Sequence, residues 1–160
     1  MRRFDLSMCM TLVALAGFVL APAAAGAADL QISLPSVTVV PGDTAVIHID
    51  ALPSPAGLGI RAIEYRLVLG AAVVQSARVL NDGFLWTWGA PFVNTNPDFV
   101  AAAAAGASSV PGPGIRLSSV EVVVLASTPP GTDLPLTFSK LMFNEGTPSV
   151  TWTPGVLQVR

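Results

Sequence analysis

Thiols, imidazoles and charge are all scarce in this chain. Its single cysteine, Cys9, falls inside an N-terminal segment that reads as an export signal, so the remainder has neither a disulfide nor a thiolate nucleophile. The single histidine, His48, leaves any Ser-His-Asp or Cys-His arrangement only one imidazole to use. It lies beside Asp50 on the outward phase of a strand, far short of the ligand count of a metal centre, and reads as a solvated surface residue. Charged residues make up only 11% of the chain, the formal net charge is −2, and no basic run occurs. Nucleic acid and anionic lipid are excluded as partners on that ground.

Catalytic sets are missing for the same reason. A glycosidase needs two carboxylates facing each other across a cleft, whereas Asp82, Asp98, Glu121, Asp133 and Glu145 are scattered, mostly at turns where Asp bonds local backbone. Asn94, Asn96 and Asp98 alternate in one loop and offer oxygens, but the glycine and distal glutamate of an EF-hand loop are absent. Turn chemistry accounts for them. The expectation is a protein that is not an enzyme and holds no metal or cofactor.

What the chain does have begins with Arg2 and Arg3, an apolar run over residues 8–20 broken only by Thr11 and Gly17, and the small-residue stretch 22–28. This is the secretory pattern, with Ala25-Gly26-Ala27 as the cleavage site. The run is short of the ~20 apolar residues of a spanning helix. A signal peptide over 1–27, a secreted product without a membrane span after cleavage, and one domain over 28–160 are therefore expected. A domain of that size can rest on a core of Val, Ile, Leu and Phe without covalent staples.

Period-two alternation dominates the rest. Leu30-Gln31-Ile32-Ser33-Leu34 ends at Pro35, and residues 37–40 run extended into the turn Pro41-Gly42-Asp43. A strand over 44–50 places Ile47 and Ile49 on one side. After a Pro/Gly loop comes the central stretch 59–69. Ile63, Tyr65, Leu67 and Leu69 face one way, and Ala62, Glu64, Arg66 and Val68 the other, so one side can hold a core while the other meets a partner. Residues 73–80 are extended and lead to Asn81-Asp82-Gly83, the strongest turn signal. Residues 92–98 read as a loop. The alanine-rich stretch 99–105 favours helix by propensity but reads as a strand in this context. A second long strand spans 115–125. Residues 134–138 and 140–143 are two extended segments before the turn Asn144-Glu145-Gly146, and two short strands close the chain. Turn signals every 8–12 residues, with no long amphipathic helix between them, predict an all-β sandwich or jelly roll.

Phe84, Trp86 and Trp88 recur at every second residue. On a strand they would share one side at about 6.5–7 Å spacing, a row able either to stack sugar rings or to pack into the sandwich.

The order of these motifs resembles a cohesin domain, the dockerin-binding module of bacterial cellulosomes, over residues 30–159. The resemblance rests on five pieces taken together. These are Val39-Val40-Pro41-Gly42-Asp43-Thr44-Ala45-Val46, Gly59-Ile60 leading the strand through Tyr65 and Leu67, and Gly114-Ile115-Arg116-Leu117-Ser118-Ser119-Val120-Glu121-Val122. The stretch 131–138 and the closing Gly155-Val156-Leu157-Gln158-Val159 complete the set. It implies a nine-stranded jelly-roll sandwich and a non-catalytic role in assembly, with a dockerin held against one open sheet face. Ala62 and Glu64 match two positions that are polar in better-known members. Glu64 keeps a carboxylate able to accept hydrogen bonds, Arg66 lies beside it, and Ala62 supplies no polar group. Three readings follow: a cohesin-like module with Ala62, Glu64 and Arg66 on its contact face, linked to polysaccharide degradation; a carbohydrate-binding module using Trp86 and Trp88, with polysaccharide as the partner; and a structural surface module with no specific ligand.

Overall fold

The computed structural model describes residues 30–52, 58–107, 109 and 114–160. The expected signal segment, 1–27, lies outside the described residues, as do parts of the loops before the central strand and after the alanine run.

Eleven strand segments are present among the described residues: β1 (Leu30–Ser33), β2 (Val37–Val39), β3 (Thr44–Leu52), β4 (Ala62–Val68), β5 (Val74–Val79), β6 (Phe92–Asn96), β7 (Phe99–Ala105), β8 (Ile115–Val124), β9 (Asp133–Phe143), β10 (Val150–Thr153) and β11 (Gly155–Val159). They form a five-stranded sheet, β10-β1-β3-β8-β5, and a six-stranded sheet, β2-β11-β9-β4-β7-β6. β1–β2 and β10–β11 are each one strand broken at a proline, Pro35 and Pro154, and passed from one sheet to the other. Counted that way there are nine strands, the jelly-roll sandwich expected. Proline has no N–H to give a ladder, so it stands where these strands change partners. Gly155 follows the second break because a Cβ there would lie 2.0 Å from the Pro35 carbonyl oxygen.

Alternation builds the core. Ile47 and Ile49 of β3, Ile63, Tyr65 and Leu67 of β4, Val120, Val122 and Val124 of β8, and Leu136 of β9 are all buried between the sheets. Each large aliphatic side chain so buried contributes about 1.5–3 kcal/mol relative to exposure. The alanine run is strand β7, paired to β4 from Ala62↔Ala105 to Val68↔Phe99, so ladder partners on both sides override helix propensity.

Three sequence expectations change. Residues 84–88 form a 3-10 turn and not a strand. Gly83 and Gly89 flank it at φ 78° and 107°, where glycine bends the chain at no steric cost, and the Thr87 hydroxyl donates to the Phe84 carbonyl at 2.8 Å. Residues 92–96, read as a loop, are the edge strand β6. The two segments 134–138 and 140–143 are one strand, β9, whose pairing with β4 skips Ser139. That bulge breaks the sequence alternation and hides its continuity.

Candidate partner-binding face

β4 sits between β9 and β7, with β6 beyond, and these four strands present one outer face. Register fixes its rows. Met142, Glu64, Ala103 and Phe92 lie side by side; the next row is Lys140, Arg66, Ala101 and Asn94, and the third is Thr137, Val68, Phe99 and Asn96. Ala62 and Ala105 stand opposite each other at the end of the face. Phe92 is 74% exposed, an unusual setting for so large an apolar side chain.

Ala62, Glu64 and Arg66 thus share one outward side, but Glu64 and Arg66 have separate intramolecular neighbours. The Lys140 ammonium donates to Glu64 Oε1 at 2.6 Å, diagonally across β9 and β4. The Arg66 guanidinium lies 3.6 Å from the Phe99 ring centroid, a cation–π arrangement. Lys140, Met142, Ala103, Ala105 and Phe92 are the parts of this face that strand reading alone misses, because only register shows which residues of β6, β7 and β9 stand beside β4.

A shallow depression of about 320 Å³ opens at the Ala62 end. Ala62, Ala103, Ala105 and Met142 line it, with Asn144 and Glu145 at its rim. The turn after β9 is pinned there by one amide. Asn144 Oδ1 accepts from the backbone N–H of Arg61 at 2.8 Å and of Ala62 at 3.0 Å, and its Nδ2 donates to the Gly59 carbonyl at 3.0 Å.

The outer face of the five-stranded sheet has a different chemistry. Arg78 and Glu121 form a two-point ion pair at 2.7 and 3.0 Å. That hydrogen bond holds the Glu121 carboxyl below its usual range and raises the Arg78 guanidinium. Arg116 meets Asp50 at 3.2 Å. His48 is half-buried, its Nδ1 2.9 Å from the Ser119 hydroxyl; it faces outward as expected but is bonded to a neighbouring strand instead of being merely solvated.

The aromatic row of residues 84–88 does not form. Phe84 is buried, with Trp88 edge-to-face against it at 5.0 Å between centroids. Trp86 is half-buried and its indole N–H donates to the Leu80 carbonyl at 2.6 Å. Trp88 covers the end of β7 so closely that a Cβ on Gly106 would reach 2.0 Å from its ring. Asn96 and Asp98 do turn chemistry: Asn96 Oδ1 accepts from the N–H of Asp98 and Phe99, and Asp98 Oδ1 from that of Ala71.

No family profile and no curated protein sequence matches the chain. Solved structures do. The seventh ScaB type I cohesin from Pseudobacteroides cellulosolvens is 14% identical with a TM-score of 0.67, covering 82% of this chain and 92% of that one. The sixth cohesin of scaffoldin B from Acetivibrio cellulolyticus, solved in complex with a Cel5 dockerin variant, is 12% identical with a TM-score of 0.65, covering 82% and 99%. A non-cellulosomal cohesin from the archaeon Archaeoglobus fulgidus is 13% identical with a TM-score of 0.62, covering 83% and 92%. The chain has the cohesin fold. Among the described residues no helix is long and apolar enough to cross a membrane.

Proposed function

We propose that this protein is a secreted, non-catalytic binding module that holds a dockerin-type protein partner on the outer face of β9-β4-β7-β6. The observation that carries this reading is the contrast between the two outer faces. One is closed by its own ion pairs, Arg78–Glu121 and Arg116–Asp50. The other offers Ala62, Ala103, Ala105, Met142 and an exposed Phe92 around the single Glu64–Lys140 pair. Contact patches of proteins are enriched in aromatic residues and Met, and this face exposes Phe92 and carries Met142 beside its charged middle rows. Ala62, Glu64 and Arg66 are the contact residues of β4. Solved neighbours with this fold include modules in complex with dockerins and a cellulosomal scaffoldin module, which supports a role in assembling proteins that act on polysaccharides.

The test is calorimetric titration of the purified protein with dockerin modules from its own source organism. Wild type binds at least one, and Glu64→Arg or Ala103→Arg weakens that binding about tenfold or more, as loss of a central contact does. Arg78→Glu, on the opposite face, leaves it unchanged. Equal binding by wild type and both face variants overturns the assignment.

A further inference from the structure

The depression at the Ala62 end of the face has a definite chemistry. Its floor is apolar and made of small side chains, Ala62, Ala103 and Ala105, with Met142 along one wall. At about 320 Å³ it stands at the lower limit of small-molecule pockets, about 300–1,000 Å³, and suits a side chain better than a whole ligand. Two carboxylates also line it, Glu64 and Glu145. Glu64 is met by Lys140, whereas Glu145 forms no ion pair with any described residue.

The backbone holds Glu145 at that rim against its own preference. Glu145 has φ of 61°, the left-handed region that disfavours a residue with its side chain, whereas Asn144, at φ 40°, is one of the few residue types that enters it readily. The three hydrogen bonds of the Asn144 amide to residues 59, 61 and 62 keep the turn docked beside Ala62. Such strain persists where the surroundings over-determine it, and it gathers at functional sites. The charges of the face are also graded along β4. Glu145 lies at the Ala62 end, Glu64 in the next row, and Lys140 and Arg66 together in the row beyond it.

We propose that this depression is the anchor site of the face, taking a large apolar side chain of the partner with a lysine or arginine beside it that pairs with Glu145. The proposal rests on the dockerin-type reading above and names the chemistry of the partner's contact residues. Ala62, a small apolar side chain at the end of β4, forms the floor for the apolar anchor together with Ala103 and Ala105. The Glu145 carboxylate then chooses a basic neighbour and rejects an acidic one, so the partner is selected by charge as well as by shape.

A display library of one dockerin module with its surface positions randomised tests this, sorted against the full protein and against Ala62→Leu and Glu145→Lys. The wild type retains variants with Leu, Ile, Met or Phe next to Lys or Arg. Ala62→Leu fills the floor and weakens those variants about tenfold or more. Glu145→Lys exchanges the basic neighbour for Asp or Glu, and at an exposed turn it keeps the test decisive if Ala62→Leu does not fold. Retention of hydroxyl or amide side chains, or the same selected set against all three proteins, overturns the anchor site while leaving the dockerin reading in place. Retention of no dockerin variant by the wild type overturns both.

Discussion

The hydroxyl of Tyr65 meets the hydroxyl of Ser118 at 2.9 Å in the middle of the sandwich, joining β4 of one sheet to β8 of the other across an otherwise apolar core. Both residues are buried, at 1% and 0% exposure. A neutral hydrogen bond contributes about 1 kcal/mol net, while a buried polar group left without a partner costs about 1–3 kcal/mol. Tyr65→Phe and Ser118→Ala should each destabilise by about 1–2 kcal/mol in urea unfolding. The double variant should lose less than the sum, because neither hydroxyl is then orphaned. Strict additivity would refute the coupling.

Burial also pushes the Tyr65 phenol up to about 12. The Ser118 hydrogen bond works in the opposite direction, and the Asp82 charge adds to the rise. An unfolded tyrosine titrates near 10, so above that pH the unfolded chain releases a proton that the folded chain retains. Stability from this group is full below pH ~10 and falls as pH rises through 12, by roughly 3 kcal/mol in all. Chemical unfolding at stepped pH should show this fall in the wild type, and Tyr65→Phe should remove it.

Glu64 and Lys140 separate binding from stability. Their side chains are 40% and 49% exposed, and pairs of that kind contribute about 0–1 kcal/mol. Glu64→Arg should therefore leave the urea midpoint nearly unchanged while weakening dockerin binding as described above. A large loss of stability in this variant would show that the pair is structural.

At Gly155 the outcome is steric. With Pro35 backbone 2.0 Å from the position of a Cβ, Gly155→Ala must displace the junction where both broken strands change sheets. A loss of about 3 kcal/mol or more is expected, the range of severe packing defects. Gly131→Ala serves as the comparison. Its φ of 91° strains an alanine, but nothing stands within 4 Å, and it should cost about 1–2 kcal/mol.

Titration with soluble glycans should leave tryptophan fluorescence unchanged. Trp86 is tied to the Leu80 carbonyl and Trp88 is packed on Phe84 and over Gly106. A saturable spectral shift would restore the carbohydrate reading of these residues.

The central strand was legible because Ile63, Tyr65 and Leu67 alternate with Ala62, Glu64 and Arg66, and a half-buried strand imposes that period. Phe84, Trp86 and Trp88 carry the same period without being a strand. There the glycines at 83 and 89 and the bond from the Thr87 hydroxyl to the Phe84 carbonyl decide the backbone, and spacing alone cannot distinguish the two outcomes. β6 was hidden for the opposite reason: its Asn94, Thr95 and Asn96 lie on a sheet edge, where no apolar alternation is required. Lys140 and Met142 were visible as extended residues, but their place beside Glu64 depends on a bulge at Ser139, whose interruption of the alternation reads as a break between two strands. The face was therefore legible along β4 and illegible across it.

The two strands that change sheets bear on how the chain reaches this structure. β1 pairs with β10 and β2 with β11, both in parallel, from Leu30↔Val150 to Val39↔Val159. Thr38 and Gln158, in one such pair, are 120 residues apart. Closing a loop of that length costs entropy before any contact repays it, and folds rich in such pairings form slowly. β10, on one side of β1, and β11, the sole ladder partner of β2 among the described residues, are the last two strands described. Until they arrive, β1 has one free edge and β2 has no partner in its sheet, so a fragment ending after β9 would leave both sheets open where the first strand lies.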